Sequence, residues 1–293
     1  TKDIGETLVM TGKADAVAKA EEYYDSTPAV AFYKNVWGGE DIHIGLYRAD
    51  DEDIGEASRR TIVNMAQRLS PFKSDTKVID LGAGFGGTAR FLASNFGCHV
   101  TCINVSETQN SLNRVMNEEA GLSDQIDVIH GSFEDVPLPD ENYDVAWSQD
   151  AILHSADRET VLDEVQRLLK NEGEFIFTDP MQSEDCPPNV LQPILDRIHL
   201  ETLGSVEFYR TNLKQRGFVE IDTNERVDDM RTHYARVGEE LRENYEEICE
   251  LSGSDYVENM MRGLDHWVEG ADKGFLAWGI MHFQKNCEVP SQA

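Results

Sequence analysis

The sequence is short of positive charge. Only 26 lysines and arginines stand against 55 aspartates and glutamates, which leaves a formal charge of −29 over 293 residues. Such a chain has no basic field with which to release the counterions of nucleic acid or to dock on an anionic membrane, so both are excluded as partners. Long apolar runs are missing too, and none approaches the ~20 residues that a membrane-spanning helix needs. The five cysteines (Cys98, Cys102, Cys186, Cys249 and Cys287) are scattered, with no C-x-x-C pair and no histidine in metal-ligand register. Neither a disulfide framework nor a metal site is expected from them. The first residues lack the basic-then-apolar pattern of a secretory leader, and with reduced thiols this gives a cytoplasmic expectation. The chain opens on Thr1 rather than Met, as a processed chain or a piece of a longer one would. Internal repeats and low-complexity tracts are absent.

What is present is an acidic shell over an ordinary core. The acids are spread along the chain rather than gathered in a tail, while 40% of residues are hydrophobic. Adaptation to high ionic strength explains this pattern, because screening over roughly 3 Å at 1 M salt removes the self-repulsion; an ordinary acidic enzyme is the alternative.

From residue 77 short apolar runs alternate with helical patterns. Strands are expected at 77–81, 99–103, 126–130, 143–147 and 174–178, with helices at 54–69, 87–96, near 107–119 and near 157–170. Asp157 is the expected N-cap of the last helix, and Gly173 its end. The acidic run Asp50-Asp51-Glu52-Asp53 reads as the solvated start of helix 54–69. Alternation of this kind means parallel βαβ units and a doubly wound α/β sheet, with ligands at the strands' carboxyl ends. Residues 1–53, with a helix over 14–24 and an aromatic stretch before residue 40, are expected to form an N-terminal helical lid, and 54–180 a Rossmann-like core. Residues 181–216 are expected to be a helical cap insert. Residues 217–285 carry the last strands (217–223 and 275–284) around a helical insert over 225–270, and 286–293 form a loose tail.

The organising stretch is Val78-Ile79-Asp80-Leu81-Gly82-Ala83-Gly84-Phe85-Gly86-Gly87, a strand running into a glycine turn and then a helix. Gly82, Gly84 and Gly87 satisfy the dinucleotide spacing G-x-G-x-x-G. A dinucleotide site also wants Asp or Glu at the end of the second strand, where this chain has Asn104, with Gln109 five residues on. Asp80, two residues before the first glycine, suits a ligand that carries a cationic amino-acid end.

Taken together, VIDLGAGFGG, CINVSETQ, GSFEDVPLPDENYDVAW and LLKNEGEFIFTD resemble, in order, the motifs of class I S-adenosylmethionine-dependent methyltransferases. The resemblance implies S-adenosyl-L-methionine as cofactor. It puts Gly82 and Gly84 beside the methionine part, with Asp80 ordering the loop or the amino group. Asn104 and Gln109 take the ribose, Ser132 and Phe133 the adenine, and Gln149 faces the methionine moiety.

The methyl acceptor is signalled by Trp147-Ser148-Gln149-Asp150-Ala151-Ile152-Leu153-His154. If this segment is helical, Asp150 and His154 share a face, an acid for a cationic acceptor beside a histidine for its proton. With YYDS and WGGEDIHIG upstream, this stretch resembles the small-amine N-methyltransferases, whose branches include sarcosine/dimethylglycine and phosphoethanolamine methyltransferases. The resemblance implies a catalytic set of Tyr24, His154 and Asp150. Aromatics including Tyr33, Trp37 and Trp147 are candidates to stabilise a methylated cation. A phosphate dianion needs several converging cations and would be repelled by the −29 surface. A zwitterionic amino acid needs one anchor for its carboxylate, for which Arg197, His199, Arg231 and His233 are candidates. The expectation is therefore a small amino-acid methyl acceptor, sarcosine or N,N-dimethylglycine, converted to glycine betaine. Phosphoethanolamine methylation and a non-catalytic S-adenosylmethionine-binding partner are the rivals, and the oligomeric state is open.

Overall fold

Asp53 starts the first described helix. Its carboxylate accepts the Glu56 N–H at 2.9 Å, which satisfies one of the donors that a helix start leaves without a partner. Helix α1 (Ile54–Arg68) runs on from there with Ala57, Ile62 and Met65 turned inward. The computed structural model describes Trp37 and residues 39–286; the expected helix over 14–24, Tyr24, Tyr33 and the tail from 287 lie outside them. The acidic run before α1 is more than a solvated turn, because Glu52 pairs with Arg60 and accepts the Arg48 N–H at 2.8 Å.

The central alternation follows the sequence pattern closely: β1 (Lys77–Leu81), α2 (Gly87–Phe96), β2 (His99–Asn104), α3 (Glu107–Glu119), β3 (Ile126–His130) and β4 (Tyr143–Gln149). Helix α4 (Arg158–Leu168) is capped by Asp157, which accepts the Thr160 N–H at 3.2 Å. It neither reaches residue 170 nor ends at Gly173. Leu169 already begins β5 (Leu169–Thr178), where it pairs with Tyr143 at the foot of β4, so pairing across the sheet overrides the local helical signal.

Between Asp179 and Gly217 the structure is less helical than the sequence pattern suggests. Residues 181–216 hold a two-residue strand β6 (Met181–Gln182), a short α5 (Gln192–Arg197) and α6 (Val206–Gln215). Pro187 and Pro188 lie between the first two of these and cannot propagate a helix. After β7 (Phe218–Glu225) the helical insert expected over 225–270 consists of three helices, α7 (Val227–Glu243), α8 (Tyr245–Ser252) and α9 (Ser254–Asp272). The expected final strand is split at Trp278. Strand β8 (Leu276–Ala277) turns aside to pair with β6, and β9 (Gly279–Lys285) enters the main sheet.

That sheet has seven strands in the order β3-β2-β1-β4-β5-β9-β7. The first five are parallel, and β9 runs antiparallel between β5 and β7. Helices cover both faces, so β5 is apolar on each side. Ile176 enters one core, while Phe175 and Phe177, stacked at 4.5 Å, enter the other. Each such fully buried side chain contributes roughly 1.5–3 kcal/mol. The strand order reverses between β1 and β4, and their carboxyl ends open the crevice in which doubly wound sheets bind ligands. No helix among the described residues is long and apolar enough to cross a membrane.

Candidate active site

The turn after β1 is shaped by Gly82. It adopts φ +82°, and a Cβ on it would stand 2.4 Å from the Ala151 Cβ, so only glycine serves there. Its N–H donates to the Ile103 carbonyl at 2.8 Å, binding the turn to the end of β2. A cleft of about 680 Å³, open to solvent, lies over this turn. Its lining includes Gly82, Gly84, Asn104, Gln109, Ser132, Phe133 and Gln149, which are the sequence-expected cofactor residues apart from Asp80. Asp80 stands behind the turn, buried within β1, and burial alone raises its pKa to about 7.

The cleft wall presents hydrogen-bond donors held ready. Gln149 Oε1 accepts from Thr88 Oγ1 at 2.7 Å and from Trp147 Nε1 at 2.8 Å, which orients the amide and leaves buried Nε2 without a partner among the described residues. On the far side Asn104 Nδ2 donates to Gln109 Oε1 at 3.0 Å, and Gln109 Nε2 is likewise buried without a partner. Buried donors of this kind are costly unless a ligand supplies acceptors. A group bearing a carboxylate at one end and ribose hydroxyls at the other, as S-adenosylmethionine does, fits the pair.

Asp150 and His154 come together here, although not on a helix. Asp150 leaves β4 at φ +50°, and only Ile152–His154 form a single 3-10 turn. The Asp150 carboxylate is fixed through both oxygens, accepting the Ile44 N–H at 2.7 Å and the Trp278 Nε1–H at 2.7 Å. Burial raises its pKa to about 6, and those two donors hold it from rising further. The turn carrying His154 is tied down from beneath. The Leu153 N–H donates to Asp179 Oδ1 at 2.8 Å, and the Tyr209 hydroxyl donates to Asp179 Oδ2 at 2.6 Å. Burial, reinforced by Arg158 and Arg197, lowers the His154 pKa to about 4, so the imidazole is neutral near pH 7.

A second cavity, also open to solvent, adjoins the first, and Ile42, Asp150 and His154 line both. Its other walls include Trp37, His43, Arg197, Tyr234 and Trp267. The Tyr234 and Trp267 rings stack at 5.1 Å, and Trp37 meets Tyr234 edge-on at 5.8 Å. Arg197 brings in a positive charge that no carboxylate of the described residues pairs with; its Nη1 lies 3.2 Å from the Met260 sulfur. Of the four anchor candidates it alone lines this cavity. Arg231 is bound to Asp272 at 2.9 Å, and His199 is exposed. His233 is wholly buried beside the cavity rather than in its wall. Its Nδ1 accepts the Gly45 N–H at 3.2 Å and lies 3.0 Å from the Tyr47 hydroxyl. Trp147 belongs to the core and to Gln149, not to the acceptor wall.

Sequence reasoning missed Trp278, Tyr234, Trp267 and His43. The two helix aromatics carry a usable signal, since each lies on the inward stripe of α7 or α9. Trp278 carries none, because its partner is distant in sequence. His43 lies in the WGGEDIHIG segment, whose local pattern gives the histidine no role of its own. Its ring Nε2 is buried without a partner among the described residues, and burial lowers its pKa to about 3.

Comparison with known proteins agrees with this geometry. The methyltransferase-domain family matches over residues 79–177. The sarcosine/dimethylglycine N-methyltransferase of Halorhodospira halochloris is 50% identical over 92% of this chain and 97% of its own. That of Aphanothece halophytica is 47% identical over 93% and 99%. The crystal structure of a candidate sarcosine dimethylglycine methyltransferase from Galdieria sulphuraria superposes with a TM-score of 0.86 at 43% identity, over 91% of this chain and 100% of that one. With five parallel strands, a glycine turn at their switch point and these relatives, the chain belongs to the sarcosine/dimethylglycine N-methyltransferase family of S-adenosylmethionine-dependent methyltransferases.

Proposed function

We propose that this chain methylates the nitrogen of sarcosine and N,N-dimethylglycine and so forms glycine betaine. The observation that carries this reading is the Arg197 guanidinium, which no carboxylate among the described residues pairs with, in an aromatic cavity that meets the cofactor cleft at Asp150 and His154. The relatives named above for sarcosine and dimethylglycine support the same acceptors.

When bound, S-adenosylmethionine supplies an electrophilic methyl group on a sulfonium sulfur. Gln149 Nε2 and the Gly82–Gly84 turn would hold its methionine end, with Asp80 stiffening the turn from behind. Asn104 and Gln109 would hold the ribose, and Ser132 and Phe133 the adenine.

The acceptor must present a nitrogen lone pair, yet an alkyl ammonium resembling that of lysine has a pKa near ~10.4. Holding it neutral near pH 7 costs about 4–5 kcal/mol, at ~1.36 per unit. Asp150 would seat the ammonium, and neutral His154 would accept its proton. The walls of the cavity would align the nitrogen for attack. Arg197 would take the carboxylate, and Trp37, Tyr234 and Trp267 would face the developing quaternary cation, at ~0.5–2 kcal/mol each. Tyr24 remains the proposed partner of His154, and Tyr33 a proposed aromatic of the acceptor site.

One feature weighs against phosphoethanolamine. His43 and His154 are both held neutral by burial, so among the described residues Arg197 alone brings fixed positive charge into the cavity wall, which is too little for a phosphate dianion. Purified protein with S-adenosylmethionine and a panel of glycine, sarcosine, N,N-dimethylglycine and phosphoethanolamine tests the reading. Betaine formed from dimethylglycine is the expected product; no turnover on any glycine derivative would overturn it.

A further inference from the structure

We propose that Gly263 is a specificity-determining position, because it leaves the slot on α9 in which the Arg197 guanidinium lies. The inference rests on the reading of Arg197 as the carboxylate anchor. Val257, Met260, Gly263, Leu264, Trp267 and Gly270 are spaced as one buried stripe of α9, and at Gly263 the Arg197 stem stands where a side chain would be. A Cβ at Gly263 would stand 2.2 Å from Arg197 Nε, 2.3 Å from Cδ and 2.6 Å from Cζ.

Nothing in the backbone asks for glycine here. Gly263 lies inside a regular helix and is not among the residues with positive φ, and glycine is a poor residue for a helix interior. What it provides is space, and a polar stem rather than an apolar one fills it. Arg197 Nε is buried there without a hydrogen-bond partner among the described residues. One turn before Gly263, the Met260 sulfur meets Arg197 Nη1 at 3.2 Å; one turn after it, Trp267 lines the acceptor cavity together with Arg197. Helix α9 thereby sets where the guanidinium stands. A methyl at 263 would push the flexible arginine aside without disturbing the fold, and fork-like recognition of a carboxylate tolerates little displacement. Gly270 on the same helix is the natural control. A Cβ there would meet Leu276 Cδ1 at 2.9 Å and would approach Ile194 rather than Arg197.

The test measures KM and kcat for N,N-dimethylglycine at saturating S-adenosylmethionine, cofactor affinity by calorimetry, and Tm. The proteins are the wild type, Gly263→Ala, Gly270→Ala, Arg197→Met and the Gly263→Ala/Arg197→Met double variant. Gly263→Ala is expected to raise KM about tenfold or more, the scale of a weakened hydrogen bond to a charged group. Cofactor affinity should hold, and Tm should be unchanged or higher. Gly270→Ala should leave KM alone, and Gly263→Ala should add nothing in the Arg197→Met background. An unchanged KM in Gly263→Ala, while Arg197→Met raises it, overturns the proposal. So does an equal rise in Gly270→Ala, or a collapse of Tm in Gly263→Ala, since the glycine would then serve only the fold. If Arg197→Met leaves KM unmoved, the anchor reading itself falls and takes this inference with it.

Discussion

Trp278 and Asp150 are 128 residues apart in sequence, yet the indole Nε1–H donates to the Asp150 carboxylate at 2.7 Å. The other carboxylate oxygen accepts the Ile44 N–H at 2.7 Å. One buried acid thus ties the approach to the last sheet strand to the segment ahead of α1, at the junction of the two cavities. If Asp150 must be ionised to seat the acceptor, kcat/KM should be sustained above pH 6 and fall as the pH drops through about 6. Trp278→Phe removes a donor that favours the charged form, so the acid limb should move upward by about one unit. A limb that stays where it was would assign it to another group.

His154→Ala should lower kcat by about 10²–10⁴, the usual contribution of a positioned proton acceptor. Binding of S-adenosylmethionine, measured by calorimetry, should persist. Retention of both turnover and binding would remove His154 from the chemistry. An inert wild type that still binds the cofactor would favour the non-catalytic reading.

Tyr209→Phe should cost roughly 1–3 kcal/mol in denaturant unfolding, because it leaves the buried Asp179 carboxylate short of a donor. The bond it breaks is 2.6 Å long and lies beneath the turn that carries His154. Activity should fall along with stability, and a variant as stable as the wild type would show that Asp179 has found another donor.

His233 predicts a pH effect on stability. Burial lowers its pKa to about 3 from an unfolded value of 6.5. As the pH falls below 6.5 the unfolded chain therefore binds a proton that the folded chain refuses, and stability is lost. His233→Asn removes that linkage. The stability advantage of the wild type over the variant should then shrink by ~1.4 kcal/mol per pH unit between pH 6.5 and 4. Paired denaturant titrations at pH 7 and pH 5 read this directly; a constant difference would mean that His233 is not held neutral. Asp80 and Asp179 act in the opposite sense. Their pKa values are raised to about 7, so what they contribute is complete at low pH and is lost as the pH rises through about 7. The overall pH profile mixes the two, and only the difference between variants isolates the histidine.

The parts of the fold that were legible share one property, which is that local chemistry specifies them. Strand β1, helix α2 and strand β3 fall where the apolar runs and glycine turns put them, and Asp157 caps α4 as its side chain allows. The parts that were not legible are decided by pairing. Leu169 joins β5 because Tyr143 lies beside it, and the last strand breaks at Trp278 because β6 takes one half and the main sheet the other.

The site divides in the same way. The donor half stands on the carboxyl ends of successive strands, so once the βαβ alternation is read, the residues after each strand must converge: Gly82 after β1, Asn104 at the end of β2, Ser132 after β3 and Gln149 at the end of β4. The sequence by itself determined that those residues line one cleft, and the family resemblance of its motifs is what proposes their roles there. The proposed acceptor half is lined by Trp37, residues 42–44, Asp150, His154, Arg197, Tyr234 and Trp267, which no periodicity connects. Only the tertiary structure could bring Arg197 rather than Arg231, His199 or His233 into the wall of that cavity, turn Asp150 toward Trp278 on a left-handed backbone, and leave Gly263 bare beneath the arginine. Those choices depend on which distant side chains the packing brings within hydrogen-bond reach, and a local pattern carries no record of that.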